Sequence, residues 1–268
     1  MTAAEKRSEV RKVRSYIKTA GNVINDLGIY ARVEQRYPFD VIALATISKV
    51  LALARACLAL CEDFPDEAYG LTRSIVECAT NLRFLTSDVD LQDSRTREFV
   101  KYALADKAFW AYNALQQFAG RPEEVEIREY LEREGITPDP KAARRHWSGV
   151  SGFIWDVMIV DHPLDGPVTQ ALRKTSYAID YFQTSGFVHC SLPAIDNYFV
   201  DSNTRYRISR SSELHETFQS TLFLVLIYVH TAIAYSFFGM RSDRPAQLTV
   251  AFERALHKMK PVERRHRR

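Results

Sequence analysis

Residues 38–85 read PFDVIALATISKVLALARACLALCEDFPDEAYGLTRSIVECATNLRFL. Two prolines punctuate the stretch, each followed by acids: Pro38 with Asp40, then Pro65 with Asp66 and Glu67. Proline is tolerated in a first helical turn because the N–H it lacks would have no partner there, and an acid complements the positive end of the helix. Behind each mark the apolar residues run on or recur every three to four positions, and strict alternation is missing. The stretch predicts two helices joined by a short turn at Glu62 and Asp63.

The same period extends in both directions. From Ala3 to near Arg36, Val10, Val13, Ile17, Ala20, Ile24, Leu27 and Val33 keep to one helical stripe. A further helix is predicted from near Leu91 to Ala119, stopped by Gly120, and a short charged one follows in RPEEVEIREYLERE, between Pro122 and Gly135. ITPDPKAARR is a proline-containing loop leading into HWSGVSGFIWDVMIVDHPLDGP, the least regular part of the chain. Helical period resumes after Pro167 through VTQALRKTSYAIDYFQT, and NTRYRISRS reads as a loop or a short strand. The most apolar helix lies in SSELHETFQSTLFLVLIYVHTAIAYSFFGM, and RPAQLTVAFERALHKMK forms the last. The expected fold is all-α, a bundle of about eight helices with long antiparallel helices and one central apolar helix at 218–238. It forms one helical domain over residues 1–262, with a substructure break near 136–148 and a basic tail at 263–268.

A chain of 268 residues with 46% hydrophobic and 26% charged side chains, and only 10 Gly and 10 Pro, fits one large helical core better than many short strands. The 36 basic and 33 acidic residues are unevenly placed: without the final VERRHRR they become 32 and 32. A neutral body argues against a broad polyanion-binding surface. The basic residues outside the tail that draw notice are Lys6, Arg7, Arg11, Lys12, Arg14 and Lys18 on the first helix. Cys57, Cys61 and Cys78 fall in apolar helices and Cys190 stands apart, a pattern of reduced, buried thiols. No apolar run follows the basic N-terminus, so a cytoplasmic location is expected. The helix at 218–238 is long enough to span a bilayer, for which about 20 apolar residues suffice. It carries Gln219, His230, Thr231 and Ser236, and a central bundle helix is equally apolar all round, so core placement is expected.

The chain has no glycine-rich phosphate loop, dinucleotide fingerprint, paired CxxC or HExxH, and its one Glu-x-x-His, Glu263 to His266, lies in the tail. No metal and no cofactor are expected. Two polar constellations remain. Arg73, Glu77 and Asn81 step by four along one helix, opposite Leu71, Ile75, Cys78, Leu82 and Leu85. Tyr177, Tyr181, Ser185 and His189 also step by four, so a single face carries two phenols, a hydroxyl and an imidazole unless Gly186 breaks the helix first. A packing stripe has little use for four hydrogen-bonding side chains. The two columns are expected to meet across a helix interface.

The combination of Arg73, Glu77, Asn81 and Leu82 with Trp147-Ser148-Gly149 and with Tyr181, Ser185 and His189 resembles the bacterial domain of unknown function 5677 family, over roughly residues 40 to 235. The resemblance implies an all-helical protein whose Arg73, Glu77 and His189 converge on one site, with Asn81, Trp147, Tyr181 and Ser185 as binding residues. It implies no established activity. A weaker likeness is to the HEPN-type helical ribonucleases, carried by Arg210 and His215 in RSSELH; Ser211 stands where those proteins usually place Asn, His or Asp.

Two functions follow. In one, the protein is a metal-independent ribonuclease or phosphodiesterase of a defence or toxin system. His189 or His215 is then the general base, and Arg73 or Arg210 stabilises phosphate charge, because imidazole titrates near neutrality and the guanidinium fork matches phosphate oxygens. In the other, it is a non-catalytic ligand-binding or regulatory module in which the Arg/Glu/His network is structural. The expected partner is RNA or another phosphate-containing ligand, a membrane is disfavoured, and a homodimer is left open.

Overall fold

The computed structural model describes residues 2–26, 38–141, 162–165, 183–188, 199–202, 205–208 and 215–240. Its elements are helices α1 (Ala3–Asp26), α2 (Pro38–Leu60), α3 (Pro65–Thr86), α4 (Gln92–Gln117), α5 (Pro122–Arg133) and α6 (Gln183–Val188). An antiparallel hairpin of β1 (Phe199–Ser202) and β2 (Arg205–Ile208) follows, and then α7 (His215–Gly239). The protein is helical, as expected, and the hairpin is an addition to an all-α reading. Phe199 pairs with Ile208 and Ser202 with Arg205, so the strand half of NTRYRISRS was the right alternative for residues 205–208. The continuation of the first helix to Arg36, the helix expected after Pro167 up to residue 182, the C-terminal helix, most of the 136–148 break and the tail lie outside the described residues.

Local chemistry sets the helix ends. Thr2 and Glu5 form a capping box: the Thr2 N–H donates to Glu5 Oε2 at 2.7 Å, and Thr2 Oγ1 accepts from the Glu5 N–H at 3.3 Å. Pro38, Pro65 and Pro122 each open a helix. Gly120 and Gly135 follow α4 and α5 with φ of 74° and 64°, the left-handed conformation that releases a chain from a helix.

The core is built by α2, α3 and α7 packed on one another, with α1 laid against α2 and α7. Ile47, Val50, Leu58, Ile75, Leu82, Leu85, Phe218, Val225 and Ile233 are sealed in it. Both α2 and α7 are long and apolar enough to cross a membrane by length and composition, so α2 joins the helix singled out from the sequence. The seal around α7 is incomplete, since Phe223 and Ile227 are 49% and 42% exposed.

Two polar contacts seat α1. Arg14 Nη2 donates to the Leu58 carbonyl at 3.3 Å, meeting one of the acceptors left over at the end of α2. Tyr16, itself buried, shares a 3.2 Å hydrogen bond with His230 Nδ1 on α7. Burial holds the His230 pKa below its ordinary value. The unfolded chain therefore binds the proton more readily, and stability is highest above the unfolded histidine pKa of about 6.5 and declines as pH falls through it. Urea midpoints measured on either side of that value are expected to differ in the wild type and to converge in His230→Gln.

Candidate functional site

The most central helix, α3, is buried almost all round, and its least covered stripe carries Arg73, Glu77 and Asn81. Along it Arg73 Nε donates to Glu77 Oε1 at 2.9 Å. Arg before Glu is the less favourable order for such a pair, and an exposed pair of this kind is worth only about 0.3 to 0.5 kcal/mol. What holds the guanidinium is a third group. Helix α6 packs on α3 and presents Ser185, whose Oγ accepts from Arg73 Nη1 at 3.0 Å. Thr184 beside it is fully buried. Gly186 does not break α6, which continues to Val188.

The group is open at its edge. The Arg73 side chain keeps 19% of its surface exposed and Glu77 keeps 40%. Asn81, one turn on, is half-buried. Cys78 sits beside Glu77, and burial pushes its thiol up to about 11, with the Glu77 charge adding and the Lys49 charge opposing. Lys49 of α2 is therefore close enough to be felt here, which the sequence reading missed. The thiol stays protonated at neutral pH, so Cys78 supplies no thiolate beside Arg73.

Of the residues singled out from the sequence, Arg73, Glu77 and Ser185 are brought together. Trp147, Tyr181, His189 and Arg210 lie outside the described residues; His215 opens α7, its side chain also outside them. Among the described residues no three His, Cys, Asp or Glu side chains converge as a metal site.

A second constellation, missed from sequence, lies deeper. Arg83, six residues along α3 from Glu77, grips Asp165 with both arms of its fork, Nη1 to Oδ1 at 3.1 Å and Nη2 to Oδ2 at 2.8 Å. Nη1 also donates to the Tyr235 hydroxyl of α7 at 2.6 Å. Asp165 Oδ2 accepts the His162 N–H at 2.8 Å, and His162 Nδ1 accepts the Leu164 N–H at 3.1 Å. With Nδ1 an acceptor, the imidazole proton belongs on Nε2, which faces Thr86 Oγ1 at 3.0 Å, while the Thr86 hydroxyl donates to the Leu82 carbonyl. The two side chains of the ion pair are 5% and 2% exposed. The network is closed, and it ties residues 162–165 to α3 and α7.

The two arginines of α3 thus differ in kind: Arg83 is sealed against Asp165 and Tyr235, and Arg73 stands at an accessible edge. A family model described as "Family of unknown function (DUF5677)" matches residues 40–206, more than half of the chain. The chain belongs to that family. The matched region holds both arginines, Ser185, His162 and Asp165, while α1 and α7 lie outside it. No curated protein and no solved structure matches the chain.

Proposed function

We propose that the protein is a helical module that binds a phosphate-bearing ligand at Arg73. The observation that carries this reading is the contrast within α3. A charge needed only for folding is expected to be sealed with its partners, as Arg83 is, whereas Arg73 is oriented by Glu77 and Ser185 and still reaches solvent. Orientation by Glu77 and Ser185 reduces the rotamer entropy lost on binding, and the Lys49 charge is felt beside Glu77. Titration calorimetry with a nucleoside monophosphate tests it. Arg73→Ala is expected to weaken binding at least about tenfold, roughly 1.4 kcal/mol, with little change in melting temperature. A wild type that ignores the nucleotide, or an Arg73→Ala variant that binds it equally well, removes the reading.

The second reading is metal-independent phosphodiester cleavage, with Arg73 stabilising phosphate charge and His189 as general base. It is favoured by the position of α6, which fixes Ser185 on Arg73 and ends one residue before His189. Arg210 and His215 are the alternative pair, on the HEPN-like likeness. Labelled RNA incubated with the wild type, His189→Ala and His215→Ala separates the cases. Loss of cleavage in one variant identifies the base, and uncleaved RNA in the wild type leaves binding alone.

A further inference from the structure

Arg7, Arg11, Arg14 and Lys18 are spaced four, three and four residues apart, which puts them on one stripe of α1 about 16 Å long. All four are exposed. Two acids of the helix are kept off this stripe: Glu9 pairs with Lys12 at 2.7 Å and Glu5 closes the capping box with Thr2. Among the described residues Arg7, Arg11 and Lys18 have no acidic partner; Arg14 is spent in part on the Leu58 carbonyl. The stripe does not end at α1. A Cβ added to Gly21 would meet Arg55 Nη2 at 3.3 Å, so the guanidinium of Arg55 lies over α1 from the neighbouring helix. On the other flank of α2, Lys49 acts on Cys78, next to Glu77. Between these two cations α2 exposes Ala45, Ser48, Ala52 and Ala59, small side chains that leave the surface low. Glu62 and Asp63 bound the patch beyond the end of α2.

We infer that Arg7, Arg11, Lys18 and Arg55, continued by Lys49, form a rail for the phosphodiester backbone of a nucleic-acid strand, leading across α2 to Arg73. The inference extends the phosphate reading of the Arg73 site to a polymeric ligand and rests on it. An anionic membrane would also attract these charges, but an interfacial helix sets large apolar side chains beside its basic ones. Here the exposed Phe223 and Ile227 are on α7, and beside the rail α2 exposes three alanines and a serine with a single larger apolar side chain, Val41 in its first turn. With no exposed aromatic side chain on the described part of the rail, the contacts are to phosphate alone, so binding is insensitive to sequence.

The test uses the full chain, a fluorescein-labelled oligouridylate and fluorescence anisotropy. The variant is Arg7→Gln, Arg11→Gln, Lys18→Gln and Arg55→Gln together, all at the surface, with circular dichroism to establish that it folds. Four phosphate contacts lower the slope of log affinity against log salt by about 3, so between about 50 and 200 mM salt the wild type is expected to lose about fiftyfold more affinity than the variant. The wild type is expected to treat oligouridylate and oligoadenylate alike, and the variant to bind at least about tenfold more weakly at the lower salt while keeping its nucleoside monophosphate affinity. RNA binding carried by the rail alongside an Arg73 that ignores the monophosphate upholds the rail and removes the Arg73 reading. No RNA binding by the wild type, or equal binding by the variant, overturns the rail. So does capture by phosphatidylserine vesicles, lost in the variant, without RNA binding.

Discussion

Asp165→Ala is expected to remove about 3 to 5 kcal/mol of stability, because it takes away the carboxylate that both arms of the buried Arg83 fork grip. Tyr235 does not replace the carboxylate: its hydroxyl is a neutral acceptor for one of the two arms. The His162 N–H loses its acceptor as well, so residues 162–165 are expected to detach from α3. Domains are stable by only about 5 to 15 kcal/mol, so the change takes a large share of the total. Replacing the pair with Arg83→Met and Asp165→Leu is expected to recover most of the loss, because the desolvation cost of both charges disappears with the attraction between them. Urea unfolding of the wild type, the single and the double variant checks this. A loss below about 1 kcal/mol for the single variant would show that the pair is solvated and not a latch.

The second large effect is steric. Gly239 ends α7 where the first turn of α2 and the last turn of α3 meet it, and a Cβ placed there would run into Phe39, Thr86 and Gln92 together. Side chains from α2, α3 and α4 would have to give way at once, two of them the buried Phe39 and Thr86. Gln92 is buried, with its Nε2 donating to the Gly239 carbonyl at 3.0 Å, and that bond would be displaced too. Gly239→Ala is expected to cost toward the upper end of the roughly 1 to 3 kcal/mol typical of overpacking. A shift of the urea midpoint reports it, and an alanine tolerated without loss would mean that the α2, α3 and α7 ends are not in contact.

The helices were legible because their ends are written locally. Pro38, Pro65, Pro122, Gly120 and Gly135 act through their own backbone limits, whatever the rest of the chain does. The Arg73 column was legible for a related reason, since spacing by four on α3 and on residues 181–189 marks a face without any knowledge of the partner. Ser185 is 112 positions from Arg73, yet each side announced a polar stripe in need of company. The Arg83 network announced nothing of the kind. Its members are separated by as many as 152 positions, and Asp165 and His162 fall in a segment without helical or strand period. One signal was present: Arg83 stands four residues after Ala79 and seven after Val76, on one stripe of α3 with both, and a charge among apolar side chains requires a buried partner. The basic residues of α1 were seen as a group from the sequence. Their segregation from Glu5 and Glu9, and the reach of Arg55 onto the same face, came only with the packing of α1 on α2.

The central claim is that Arg73, and not Arg83, meets an anionic ligand. The most direct measurement is the nitrogen-15 NMR signal of the arginine Nε–H groups, assigned with Arg73→Lys and followed while a nucleoside monophosphate is added. The Arg73 signal is expected to shift and saturate while the Arg83 signal stays still, because one guanidinium borders solvent and the other is closed on Asp165. A stationary Arg73 signal at saturating nucleotide would contradict the account.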